Sequence, residues 1–263
     1  MITIYHWEPN ANSGKPMLAA AEKGVPYDSI YLDMLSFDHH QPEYLKVNPN
    51  GTIPALVHGD IVLTESTPMM EYIDSTFDGP SLVPDGAADR WRMRQWMRYV
   101  DSYMGPSLSM LGWSIGVGPM VREKDPAELE AAIERIPLES RRRSWRKAIY
   151  NEFGEEELAE SRRRLGASLV VMEENLSQRE YLACDSYTLA DVDAFNSCYA
   201  IPMFQGDLCN ADVTPSVIRW LDSIRSRPAV KETWAKSRQQ FGERFEKLNG
   251  ELGQGGSSGG QND

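Results

Sequence analysis

Four short clusters near the start of the chain combine residue types that could hold a charged, peptide-like ligand beside an anionic nucleophile. Asn12-Ser13 sets an amide and a hydroxyl just ahead of a helical stretch. Free backbone N–H groups and the helix dipole favour an anion there, such as a thiolate. Asn and Ser are also the ordinary N-cap residues, and one residue can cap a helix and face a ligand at once. In Asn48-Pro49-Asn50-Gly51-Thr52-Ile53-Pro54-Ala55-Leu56, Pro54 stands between a turn and a strand. It is a candidate cis-proline, whose preceding residue can turn its N–H and C=O toward a peptide, although a plain loop entering a strand reads the same way. Thr64-Glu65-Ser66 opens another helix, where the helix end attracts a ligand carboxylate and Glu65 can receive an ammonium. His39-His40 lies upstream, able to meet a second carboxylate or simply to sit on the surface.

The elements around these clusters alternate. Ile2 to Trp7 reads as a strand, Lys15 to Lys23 as a helix, and Tyr27 to Asp33 as a second strand. Pro16 suits only the first turn of that helix, and Gly24 suits the residue just past its end. Ala55-Leu56-Val57 and Ile61-Val62-Leu63 flank His58-Gly59-Asp60, a hairpin signal, and a helix starts at Glu65-Ser66-Thr67 with Pro68 in its first turn. The order β-α-β, crossover, β-β-α is a thioredoxin-like α/β arrangement over residues 1–78. Gly-Pro-Ser-Leu-Val-Pro-Asp-Gly-Ala-Ala over 79–88 reads as a linker.

Beyond the linker only helical periods remain. Trp96, Tyr99 or Val100, and Tyr103 follow one; Leu165, Leu169, Met172 and Leu176 follow another; Val217, Leu221 and Ile224 a third. Residues 89–248 are therefore expected to form an all-α domain. The Gly- and Ser-rich tail over 249–263 buries too little surface to offset its chain entropy and is expected to be disordered.

The net charge of −12 argues against a nucleic-acid partner. The runs Arg141-Arg142-Arg143 and Arg162-Arg163-Arg164 sit among glutamates and read as solvated helix faces. Three cysteines, an odd number without metal-like spacing, suggest reduced thiols, and no metal site is expected. With no membrane-length apolar run and no signal-peptide pattern, a cytoplasmic protein without a membrane partner is the expectation.

Taken in order, the clusters resemble the glutathione transferase superfamily. The segment from Pro42 to Leu56, followed by Leu63-Thr64-Glu65-Ser66, is similar to the family's most recognisable stretch. Tyr187-Thr188-Leu189-Ala190-Asp191-Val192-Asp193 resembles its folding motif, in which Thr188 and Asp191 form a capping box. The resemblance implies glutathione as cofactor. Ile53, across a cis bond to Pro54, would pair with its cysteinyl part; Glu65 and Ser66 would hold the γ-glutamyl end; His40 would approach the glycyl carboxylate. Asn12 and Ser13 would activate the thiol. No cysteine occupies that position, which disfavours thiol-exchanging members, and Tyr5 is an alternative activator in tyrosine-using classes.

Three further segments, Pro9 to Pro16, Leu111 to Gly116 and Ile136-Pro137-Leu138, together with a long stretch over about 112–165 containing Trp145-Arg146-Lys147-Ala148, resemble bacterial glutathione-dependent β-etherases. That resemblance implies cleavage of lignin-derived aromatic ketones at a β-aryl ether, glutathione thiolate displacing a phenolate. A small aromatic ether is then the partner, with Tyr103, Met110 and Trp113 as candidate pocket residues. The long stretch is either a wall for this substrate or packing and dimer surface. A general transferase acting on hydrophobic electrophiles, or a non-catalytic subunit of this fold, is the alternative. A homodimer is expected, with pairing to a related subunit also open.

Overall fold

The computed structural model describes residues 1–239; the expected end of the helical domain at 248 and the tail from 249 lie outside the described residues. The first region runs β1 (Ile2–His6), α1 (Gly14–Lys23), β2 (Tyr27–Tyr31), two 3₁₀ turns (Met34–Ser36 and Asp38–His40), α2 (Pro42–Leu45), β3 (Ala55–His58), β4 (Ile61–Leu63) and α3 (Ser66–Thr76). The sheet order is β2-β1-β3-β4, with β1 parallel to β2 and the other two pairs antiparallel. The parallel pair needs a crossover, which α1 supplies, while β3 and β4 form the expected hairpin. Gly24 closes α1 at φ 68, donating its N–H to the carbonyls of Ala20 and Ala21. Met17, Leu18 and Ala20 of α1 and Met69, Met70 and Ile73 of α3 are all buried in the main core.

The expected linker is bonded to both regions. Leu82 is buried; its N–H donates to Asp74 at 2.8 Å and its carbonyl accepts from Leu189 N–H at 2.9 Å. Buried Lys23 donates to Asp74 and to the Pro80 carbonyl, each at 3.1 Å. The connection is thus part of the seam between the two regions.

The second region is helical. α4 (Ala87–Tyr99), α5 (Gly105–Gly112) and α6 (Gly118–Arg122) form one run, interrupted by π-helical turns at Val100–Met104 and Trp113–Val117. Each π turn precedes a Gly-Pro pair, Gly105-Pro106 and Gly118-Pro119. A proline inside a helix lacks its N–H and crowds the carbonyl four residues back. The wider turn relieves that conflict, and Gly105 and Gly118 donate to the carbonyls of Val100 and Trp113. Gly118 also lets backbones approach, since a Cβ there would stand 2.9 Å from the Ala148 carbonyl oxygen.

α7 (Pro126–Glu134), α8 (Glu139–Ile149), α9 (Glu155–Leu176), α10 (Leu189–Cys198), α11 (Ile201–Phe204), α12 (Pro215–Arg225) and α13 (Pro228–Trp234) follow. The periodic apolar residues of α9 and α12 are buried in the main core, as their spacing requires. Asp191 opens α10 fully buried and fully engaged. Its carboxylate accepts from the Thr188 N–H and hydroxyl and from Leu182 N–H, all at 2.9 Å, and from Trp220 Nε1 at 3.0 Å. A second, smaller core joins Val121, Ile133, Trp145 and Ile149 to Trp7, Leu35 and Phe37 of the first region. The long 112–165 stretch therefore packs down onto the sheet domain. No helix among the described residues is long and apolar enough to cross a membrane.

Candidate functional site

A polar cavity of about 220 Å³ opens where β3, α3 and α8 converge. Ile53 and Pro54 line it, and the peptide between them is cis. The loop before them is stapled by buried Asn48, whose amide donates to the Thr52 carbonyl at 2.8 Å and hydroxyl at 2.7 Å. Tyr44 adds a hydroxyl bond to the same carbonyl at 2.5 Å. Gly51 has φ 59, and a Cβ there would lie 2.7 Å from the His40 ring, so the turn needs glycine on two counts.

Glu65 and Ser66 form another wall, with Ser66 the first residue of α3. Glu65 sits at φ 67, a region disfavoured for any residue bearing a side chain. Such strain persists where surrounding structure enforces it, often at ligand sites. Nothing in the residue types around Glu65 announces this conformation.

His39 faces the cavity, whereas His40 does not line it. Both residues are 1% exposed, their rings tilted against each other with centroids 3.8 Å apart beside Phe37 and Trp145, so neither is a surface histidine. Burial, then the neighbouring His40 and Arg141, holds the His39 pKa well below its usual value. Burial first, then Arg141 and Arg135, pushes His40 down to about 4, with the Gly51 backbone opposing. Both imidazoles are neutral near pH 7. Arg141 corrects the reading of the 141–143 run as solvated: Arg143 is exposed, but Arg141 is half-buried and lines the cavity together with Trp145. Burial lowers the Arg141 pKa and the Glu65 carboxylate opposes the fall. An arginine nonetheless stays charged.

A second, larger cavity of about 460 Å³ shares Asn12, Met34 and Ile53 with the first. Both π turns supply its walls: Val100 and Asp101 with the following Pro106, then Trp113 and Val117. Trp7, Leu108, Tyr199 and Phe204 complete a mostly apolar lining. Of the three candidate pocket residues Trp113 lines this cavity, and Tyr103 and Met110 do not. Tyr103 stacks on Tyr99 with its ring under Arg164 of α9, and Met110 Sδ accepts the hydroxyl of Ser161, also on α9. Lys15, 2% exposed, anchors one side through Asp193 at 2.6 Å and Asp101 at 3.0 Å. Burial disfavours its ammonium, but the two carboxylates outweigh that and leave its pKa raised.

Asn12 is exposed at the junction of the two cavities. Ser13 is buried and lines the larger one. Its Oγ does not cap α1; it accepts the Trp7 N–H at 2.9 Å, and the hydroxyl proton is left to donate. Tyr5 packs against Tyr44 at 5.6 Å and lines neither cavity.

A thioredoxin-like domain with a cis-proline loop and a strained helix start, covered by a helical domain, defines the class. Residues 1–75 match the glutathione S-transferase N-terminal domain and residues 109–228 its C-terminal domain. The chain belongs to the glutathione S-transferase family, which uses glutathione as its co-substrate. Among relatives, Protein LigF of Sphingobium sp. strain SYK-6 is 36% identical over 245 residues, covering 91% of this chain and 95% of that protein. The crystal structure of beta-etherase LigF superposes with a TM-score of 0.86, covering 90% of this chain and 99% of that one. Glutathione S-transferase F9 of Arabidopsis thaliana is 30% identical over 230 residues, covering 86% of this chain and 93% of that protein.

Proposed function

We propose that the protein cleaves β-aryl ethers of lignin-derived aromatic ketones with glutathione as the nucleophile. Glu65 and Ser66 hold the γ-glutamyl end, and the Ile53 backbone pairs with the cysteinyl part. This directs the sulfur to Asn12 and Ser13, where both cavities meet. Donors from Asn12 and Ser13 stabilise the thiolate and raise its fraction near neutral pH. The thiolate attacks the carbon that bears the aryl ether, beside the ketone. A C–S bond forms, the C–O bond breaks, and the phenolate leaves with the electron pair. The thiol proton passes to solvent. A phenolate is a tolerable leaving group, so positioning and electrostatic stabilisation supply most of the rate.

The observation that carries this reading is the junction itself: a polar cavity and an aromatic-walled cavity of about 460 Å³ share Asn12, Met34 and Ile53. Likeness to beta-etherase LigF favours an aromatic ether as the occupant of the larger space. The same apolar lining also suits a general transferase acting on hydrophobic electrophiles. A non-catalytic subunit is disfavoured, because Ile53, Glu65 and Ser66 all face one cavity. We take the working form as a cytoplasmic homodimer.

The test supplies the purified protein with glutathione and, in parallel, an α-keto β-aryl ether or a small aryl halide. The expected result is phenol release with a kcat/KM above that for the halide by at least about tenfold, or ~1.4 kcal/mol. Halide conjugation without phenol release would assign the general-transferase activity instead.

A further inference from the structure

We propose that Arg141, on the inserted helix α8, is the cationic partner of the glycyl carboxylate of glutathione, so that the helical domain completes the glutathione site. The inference rests on the proposed binding of glutathione.

Arg141 differs from the arginines around it. Arg142 donates to the carbonyls of Glu134 and Ile136, each at 3.3 Å, and Arg143 lies 3.8 Å from Glu139. Arg146 pairs with Glu130 at 2.6 Å and Glu134 at 2.7 Å. Arg141 makes no hydrogen bond or ion pair with any described residue, yet it is half-buried and lines the polar cavity. Glu65 supports its charge through space, but a half-buried guanidinium with no hydrogen-bonded partner is costly unless a ligand supplies one.

A second observation points to the same ligand. His39 is 1% exposed, lines that cavity beside Arg141, and neither of its ring nitrogens has a hydrogen-bond partner. A neutral imidazole can offer one N–H to a carboxylate but no charge. The charge must come from elsewhere, and Arg141 is the cation among the described residues that line this cavity. His40 turns its ring toward Gly51, outside the lining. The γ-glutamyl carboxylate already has Ser66 and the start of α3, which leaves the glycyl carboxylate for Arg141 and His39.

Arg141 and Trp145 are four residues apart on one face of α8, and both line the cavity. Trp145 in turn meets Trp113 edge-on at 5.0 Å, and Trp113 walls the aromatic cavity. The helix that grips glutathione therefore also braces the surface against which the second substrate lies.

The test compares wild type, Arg141→Ala and Arg141→Lys by calorimetry, with glutathione and with glutathione amidated at its glycyl carboxylate. A charge-assisted contact predicts that Arg141→Ala binds glutathione at least about tenfold more weakly, with Arg141→Lys in between. The amide should bind wild type and Arg141→Ala alike, because its charge partner is gone. Each variant is its own folding control, since the two ligands are compared on the same protein. An equal loss for both ligands, or for neither, would overturn the assignment. Wild type that binds neither ligand would instead remove the glutathione reading, and this inference with it.

Discussion

The two cavities are built from different materials. The polar one joins the loop before β3, the strained Glu65 and the first residue of α3 to Arg141 and Trp145 of α8. The aromatic one takes much of its wall from two π turns in a single long helical run, with Trp7, Tyr199 and Phe204 added from other elements. In the proposed reaction the cis-proline loop and the helix start suit a ligand that does not change, while side chains of the helical domain can vary with the second substrate. Asn12, shared by both, is where the roles should separate under mutation.

The largest effect is expected at that junction. Asn12→Ala combined with Ser13→Ala should lower turnover by about a hundredfold or more, as loss of donors to a developing or resting anion does. Glutathione affinity should change by no more than about threefold. Calorimetry beside steady-state kinetics checks both numbers, and equal losses in binding and turnover would dissolve the division between cavities. Next, Glu65→Gln with Ser66→Ala should weaken glutathione binding about tenfold or more while leaving kcat at saturation nearly unchanged. Trp113→Ala should act on the other side, raising KM for the ether several-fold, in keeping with the ~0.5–1.5 kcal/mol of an aromatic contact, with glutathione affinity intact.

A separate effect concerns stability rather than binding or turnover. His40 titrates near 4 in the folded protein against 6.5 ordinarily, so between those values the unfolded chain binds more protons. Folding stability should therefore rise with pH through that window and be lost as pH falls through it. Denaturant midpoints across the window should decline more steeply for wild type than for His40→Gln. Parallel slopes would show that the buried histidine does not contribute.

The contrast also explains what sequence could disclose. Proline and glycine punctuation marks α1, the hairpin and the start of α3, so Ile53, Pro54, Glu65 and Ser66 are readable as a set. His39 and His40 are not separable this way, because adjacent residues of a 3₁₀ turn point in different directions and only packing selects one. Arg141 hides in a triplet whose other members are paired through α7 or along α8, and charge patterning alone cannot tell a pocket-facing arginine from its neighbours. Tyr103 and Met110 engage Tyr99 and α9 instead of the cavity, and only packing separates them from Trp113. The loop and helix start of the polar cavity follow local rules, whereas its His39 and Arg141, like the lining of the aromatic cavity, are selected only by packing in three dimensions.

The most direct test of the account mixes the protein with one equivalent of glutathione per equivalent of α-keto β-aryl ether and follows both products by mass spectrometry. Displacement at the shared junction predicts one phenol and one glutathionyl thioether, with sulfur on the carbon that carried the ether, formed in equal amounts and at equal rates. Phenol released without the thioether, or glutathione consumed without phenol, would contradict the transfer of sulfur from one cavity into the other.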